Sequence, residues 1–193
     1  MDTTANRTDA PQRSGTKPTI IAVVSWLIAL WASYVFLASL PYKFTQHPDT
    51  QHIFGTIGDW LGGFLGEGIG AAFRDVGPFL VGGFELLTSL VLLAPAALWV
   101  LARARGTAFG DTRRRLHAIG GLMASAVMAG AVFFHLFTPL GIEVLHEGES
   151  DGGSLFYAAV SILVLGIVLF LINVGGRGDE TSRTRREDRP RHA

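Results

Sequence analysis

Charge is distributed along this chain in a way that leaves few folds open. Residues 18–42, 76–102, 116–142 and 152–176 together make 104 positions, and among them stands one charged residue, Glu85. With 16 Lys and Arg and 16 Asp and Glu in 193 residues, an even spread would place about 17 there. Helices of a soluble core carry a polar face and do not exclude charge over such runs. Each window can cross a ~30 Å hydrocarbon core, which takes roughly 20 helical residues. Spans are therefore predicted near residues 19–41, 78–101, 116–137 and 154–174. The runs lack the alternation of barrel strands, so the backbone must satisfy itself as helix. The predicted fold is all-α, a polytopic membrane protein built as a four-transmembrane-helix bundle. The overall apolar content of 49% would suit a soluble protein equally well, so placement and not amount carries the conclusion.

Lys and Arg between spans set the orientation. The N-terminal tail, the loop after span two and the C-terminal tail hold fourteen of them; the loop after span one holds Lys43 and Arg74, and the loop after span three none. Both termini are thus expected on the cytoplasmic side, and the first and third loops outside, which fits a bacterial inner membrane. A cleaved signal peptide is the other reading of the first run, but its uncharged stretch exceeds a ~7–15-residue signal core and no A-x-A site follows. Residues 1–17 and 177–193 are rich in Thr, Arg, Asp and Pro and are expected to be disordered tails flanking a membrane domain over 18–176. The basic C-terminal run suits anionic head groups. The chain has no cysteine, which excludes disulfides, thiolate metal sites, iron–sulfur ligation and thiol exchange.

The outward loop, 42–77, is long for a four-span protein. Phe54, Ile57, Leu61, Phe64 and Leu65 keep helical spacing, with Asp59 between them and Glu67 just after, so the loop is expected to carry an amphipathic helix, extended over 54–73 as a helical or helix-turn-helix cap. Its many glycines weaken such a helix by roughly 1 kcal/mol each, so it needs tertiary support. Gly62, Gly66 and Gly70 recur every fourth residue and point to close backbone packing rather than to a phosphate loop, since no Walker lysine follows.

Glu85 is the residue with the most to explain, because a carboxyl inside a span costs roughly 2.5–3.5 kcal/mol on insertion scales. Gly82, Thr88 and Ser89 share its face, so it should point into the bundle. Desolvation favours its neutral acid unless a cation or hydrogen-bond donors hold it charged. His135 lies on a stripe through Gly121, Ala124, Met128 and Ala131 and should also face inward near the depth of Glu85. Tyr34, Tyr157 and Ser161 fall in the same outward half, and Lys43 stands at its rim with Arg74. Thr88, Glu85, His135, Tyr34, Lys43, Tyr157 and Ser161 are accordingly the candidate ligand-binding residues, around an outward-half polar cavity, while the inner half holds almost nothing polar. Each has a plainer reading, because buried histidines and carboxyls often only join helices, and interfacial tyrosines usually form a belt.

Haem by two histidines is unfavoured, since His117 lies at the opposite end of the span from His135. His47 with His52, and His146 with Glu147, near Asp49, Glu143, Glu149 and Asp151, match no zinc spacing, so a metal site is not expected. No nucleophile elbow, H-E-x-x-H pair or kinase set is present, and no catalytic residue is assigned.

Pro41-Tyr42-Lys43-Phe44 at the end of span one, Gly82-Gly83-Phe84-Glu85-Leu86-Leu87 in span two, and four spans with both ends inside resemble the DoxX-like family of small bacterial membrane proteins, over roughly residues 20–175. The resemblance implies an accessory or anchor subunit of a membrane-associated redox system, with a soluble or membrane redox partner and a quinone as the ligand in view. Only Glu85 maps onto a recurrent family position, and the long glycine-rich first loop departs from the family's shorter ones. Two other functions stay open: a scaffold with no ligand, and a quinone-binding oxidoreductase subunit with activity of its own.

Overall fold

The computed structural model describes residues 16–107 and 111–175. The expected tails fall almost wholly outside them, although Thr16 and Lys17 already belong to the first helix. Five helices carry the chain: α1 (Thr16–Phe44), α2 (Pro48–Leu65), α3 (Glu67–Ala104), α4 (Thr112–Phe137) and α5 (Ser154–Val174). Between α4 and α5 stands a small hairpin of β1 (Leu145–His146) and β2 (Glu149–Ser150). Four helices, α1, α3, α4 and α5, are long and apolar enough to cross a membrane, which is the architecture of a multi-pass membrane protein. α1 and α4 each pack against α3 and α5, so the four close into a bundle.

Small residues set how tightly the helices meet. A Cβ on Gly121 of α4 would lie 2.6 Å from the Gly166 carbonyl of α5, and Ser125 donates to the Leu163 carbonyl at 3.0 Å. Backbone therefore meets backbone along this seam, as in other small-residue membrane interfaces. Ile28, Ala29, Ala32, Phe36, Leu92, Ile162 and Leu169 fill the centre. The spaced stripe of α4 is buried at Gly121, Ala124, Met128 and His135, and the α3 stripe at Gly82, Glu85, Thr88 and Ser89.

The cap at one end of the bundle is a helix-turn-helix. α2 begins at Pro48, with the His47 side chain accepting from the Asp49 amide at 3.3 Å as its N-cap. Gly66 ends it with a φ of 98°, a value that suits glycine, and α3 starts at the next residue. The glycines of the four-residue repeat divide their work: Gly66 makes the turn, while Gly70 meets Gly62 and Gly58 across the crossing. A Cβ on Gly70 would stand 2.5 Å from the Gly58 carbonyl and 2.8 Å from Gly62 Cα. Arg74 clasps the same corner by pairing with both Asp59 and Glu67.

Two sequence expectations need correction. Pro78 reads in the sequence as a helix boundary ahead of the span expected near 78–101; instead one helix runs unbroken from Glu67 through Pro78 and Pro95 and contains that span. Buried between neighbours, a span can re-satisfy the bond a proline removes. The end of the bundle away from α2 is also not apolar. Asn173 donates to Ser25 at 3.0 Å and to the Leu169 carbonyl at 2.9 Å, and His117 is fully buried edge-on to Trp26 at 4.8 Å. Short side chains at the ends of windows look inert in sequence and meet only when the helices pack.

Candidate ligand-binding site

At the capped end the bundle does not close on itself. All four long helices, α2 and the hairpin surround a cavity of about 850 Å³. Its walls are largely apolar, with Phe36, Phe54, Phe73, Met128 and Phe134 prominent, and its floor is the apolar centre described above. The polar groups reaching it come from α1, α2, α3, α4 and the hairpin, so no single segment builds the site.

One wall carries an ion pair. Lys43 Nζ lies 2.8 Å from Glu85 Oε2 and 2.8 Å from Ser39 Oγ, and Ser39 Oγ lies 2.9 Å from the same carboxylate oxygen. Ser39 and Lys43 are one helical turn apart and therefore share a face of α1. Gly82 of α3 makes room for α1 beside this pair, because a Cβ there would sit 2.9 Å from the Phe44 ring. The Lys43 and Glu85 side chains are only 14% and 5% exposed, so water does little to screen the pair. The one carboxyl inside a span thus has a lysine for its partner.

Across the cavity His135 turns Nδ1 to the Gly141 carbonyl at 2.7 Å and stands edge-on to Phe156. A carbonyl can only accept, so Nδ1 carries the proton and a neutral ring keeps its lone pair at Nε2. At the mouth, Asp49 joins α2 to the hairpin: His146 Nδ1 lies 2.8 Å from Oδ2, and the Glu147 amide donates to Oδ1 at 3.3 Å. Burial works to raise the Asp49 pKa. The His146 hydrogen bond, the Glu147 amide and the imidazoles of His47 and His146 outweigh it and hold the carboxyl below its ordinary value. Tyr42 packs against both imidazole rings.

Of the seven candidates, Glu85, His135, Lys43 and Tyr34 line the cavity, Tyr34 from a largely exposed position. The other three are placed elsewhere. Thr88 is fully buried with its hydroxyl on the Phe84 carbonyl, Ser161 bonds Trp31 and the Ala158 carbonyl, and Tyr157 faces outward. Lys43 folds inward, whereas Arg74, expected beside it at the rim, serves the cap corner. Ser39 escaped sequence reasoning, although its place four residues before Lys43 was a signal. Asp49 and His146, 97 positions apart, left no such trace. Among the described residues no group of three or more His, Asp or Glu side chains is arranged to hold a metal ion. Compared with family models, curated proteins and solved structures, the chain matches none.

Proposed function

We propose that this chain is a bacterial inner-membrane protein, with both termini cytoplasmic, that holds a lipophilic, quinone-like ligand in its outward-half cavity as an accessory subunit of a membrane redox system. The observation that carries the reading is the cavity itself. About 850 Å³ of largely apolar space with a few converging polar groups falls within the ~300–1,000 Å³ usual for small-molecule sites. The fourteen-to-two division of basic residues supports the orientation, and the resemblance to DoxX-like proteins supports the redox setting.

The chain's own groups have positioning work to do here. Lys43 can donate to a carbonyl, and Glu85 and His135 can accept from a hydroxyl, so a quinone-like head could be oriented in either oxidation state. Purification in a mild detergent, followed by extraction and identification of small molecules and partner proteins, tests the proposal. A co-purifying isoprenoid quinone in near-stoichiometric amount, lost in an Ala131→Phe variant that fills the cavity, is the expected result. A stoichiometric protein partner with no lipophilic ligand would overturn ligand binding and leave a scaffold.

A further inference from the structure

Three groups facing the cavity keep unfilled hydrogen-bonding positions. The Lys43 ammonium has three donors, of which Ser39 and Glu85 occupy two. Glu85 Oε2 receives Lys43 and shares the single Ser39 hydroxyl proton with the Phe36 carbonyl, which lies 2.7 Å from Ser39 Oγ, whereas no described residue donates to Oε1. His135 has committed Nδ1 to Gly141 and offers the Nε2 lone pair. These three groups therefore keep one donor open, together with acceptors at Glu85 Oε1 and His135 Nε2, beside the hydroxyls of Tyr34, Tyr42 and Thr50 on the same wall. Lys43 and Glu85 neutralise each other, and Asp49, the other carboxylate on the wall, has its two oxygens occupied by His146 and the Glu147 amide.

Each kind of head group meets this arrangement differently. A carboxylate or phosphate could take the Lys43 donor but would set a second anion beside the nearly buried Glu85. A quaternary ammonium has nothing to donate and would stand beside Lys43. An ether or ketone can use the donor and leaves both acceptors unmet, and unmet buried polar groups are costly. A hydroxyl can accept from Lys43 and donate to Glu85 or His135. On the footing of the ligand-binding reading above, we infer that the cavity selects an uncharged amphiphile whose head carries at least one hydroxyl, so that the reduced, hydroxyl-bearing form of a redox pair binds more tightly than the carbonyl form.

The test uses the full chain in phosphatidylcholine nanodiscs and four photoreactive probes with the same decyl chain and diazirine, ending in hydroxyl, methyl ether, carboxylate or trimethylammonium. Crosslinks are mapped by peptide mass spectrometry. The hydroxyl probe is expected to label the cavity segments of α1 and α4 about tenfold more than the ether, the ratio one hydrogen bond to a charged group supports, with both ionic probes weaker still. Equal labelling by hydroxyl and ether, or preference for an ionic head, overturns the inference while leaving a ligand site in place. Labelling no stronger in the cavity than at the exposed Val164 and Ile167 overturns the ligand-binding reading itself. In Glu85→Gln the Lys43 charge is uncompensated, so the carboxylate probe should gain about tenfold relative to the hydroxyl probe. An unchanged preference in that variant would also overturn the inference, and if the variant does not fold, the panel on the unaltered chain decides alone.

Discussion

The Glu85 carboxylate draws its counter-charge from α1, and this sets the sign of what its replacement does. In a dry bundle a neutral acid would tolerate Glu85→Gln without loss. With Lys43 at 2.8 Å, that change instead leaves an ammonium nearly buried and unpaired. Glu85→Gln is expected to lower stability by about 1–3 kcal/mol, read as a fall in melting temperature in detergent, because removing one partner exposes the desolvation cost of the other. Lys43→Met with Glu85→Leu should come within about 1 kcal/mol of the parent, since an apolar pair replaces the ionic one. A Glu85→Gln protein as stable as the parent would show that the pair is not formed. At this scale the sequence was half legible. It marked Glu85 and Lys43 individually, because a carboxyl in a span and a base at its edge are conspicuous, but pairing them requires the relative rotation of two helices, which hydropathy does not encode.

At the scale of elements, the crossing of α2 and α3 makes glycines separable by substitution. Gly70→Ala forces its Cβ to 2.5 Å from the Gly58 carbonyl, where backbone must move, and should cost about 1–3 kcal/mol. Gly55→Ala, in the same cap with nothing within 4 Å, should stabilise by up to about 1 kcal/mol. Hydrogen exchange over α2 reads both, and equal effects would contradict the crossing. The hairpin answers to acid instead. Burial tends to raise the Asp151 pKa, but hydrogen bonds from the amides of Leu155, Val144 and Gly153 and from the Ser154 hydroxyl prevail and lower it. A lowered folded-state pKa contributes stability that is present above the unfolded value and lost as pH falls through the folded one. Amide resonances of Val144 and Leu155 should thus hold steady from neutral pH and shift only below about pH 4. A transition near neutral pH would place control with another group. Helical spacing announced α2, yet Pro78 concealed that α3 begins at Glu67, and no pattern announced a hairpin with two-residue strands whose anchor, Asp49, lies in α2.

For the whole molecule, orientation is the first thing to measure, and the absence of native cysteine makes it accessible. Single cysteines at Ser150, in the hairpin, and Thr107, after α3, should label from opposite faces of the membrane, Thr107 from the cytoplasm. Labelling from one face would contradict a four-span bundle. Four spans were readable because charge segregation is a property of the chain as a whole. The cavity was not, because a hollow is defined by what six separate segments fail to fill. Its floor has an electrical meaning. Beneath Lys43 and Glu85 the bundle is closed by the packed side chains of Leu92, Ile162 and Leu169, an apolar layer that would act as an insulator in series with the cup above it. In a bilayer the voltage would drop chiefly across that insulator, and the uncharged ligand proposed above would move no charge through the drop. At ~2.3 kcal/mol per charge per 100 mV, even one uncompensated charge crossing the whole field would make occupancy follow the energy state of the cell. If the proposed uncharged ligand occupies the cavity, its occupancy should follow ligand supply and be the same in an energised membrane as in a collapsed one.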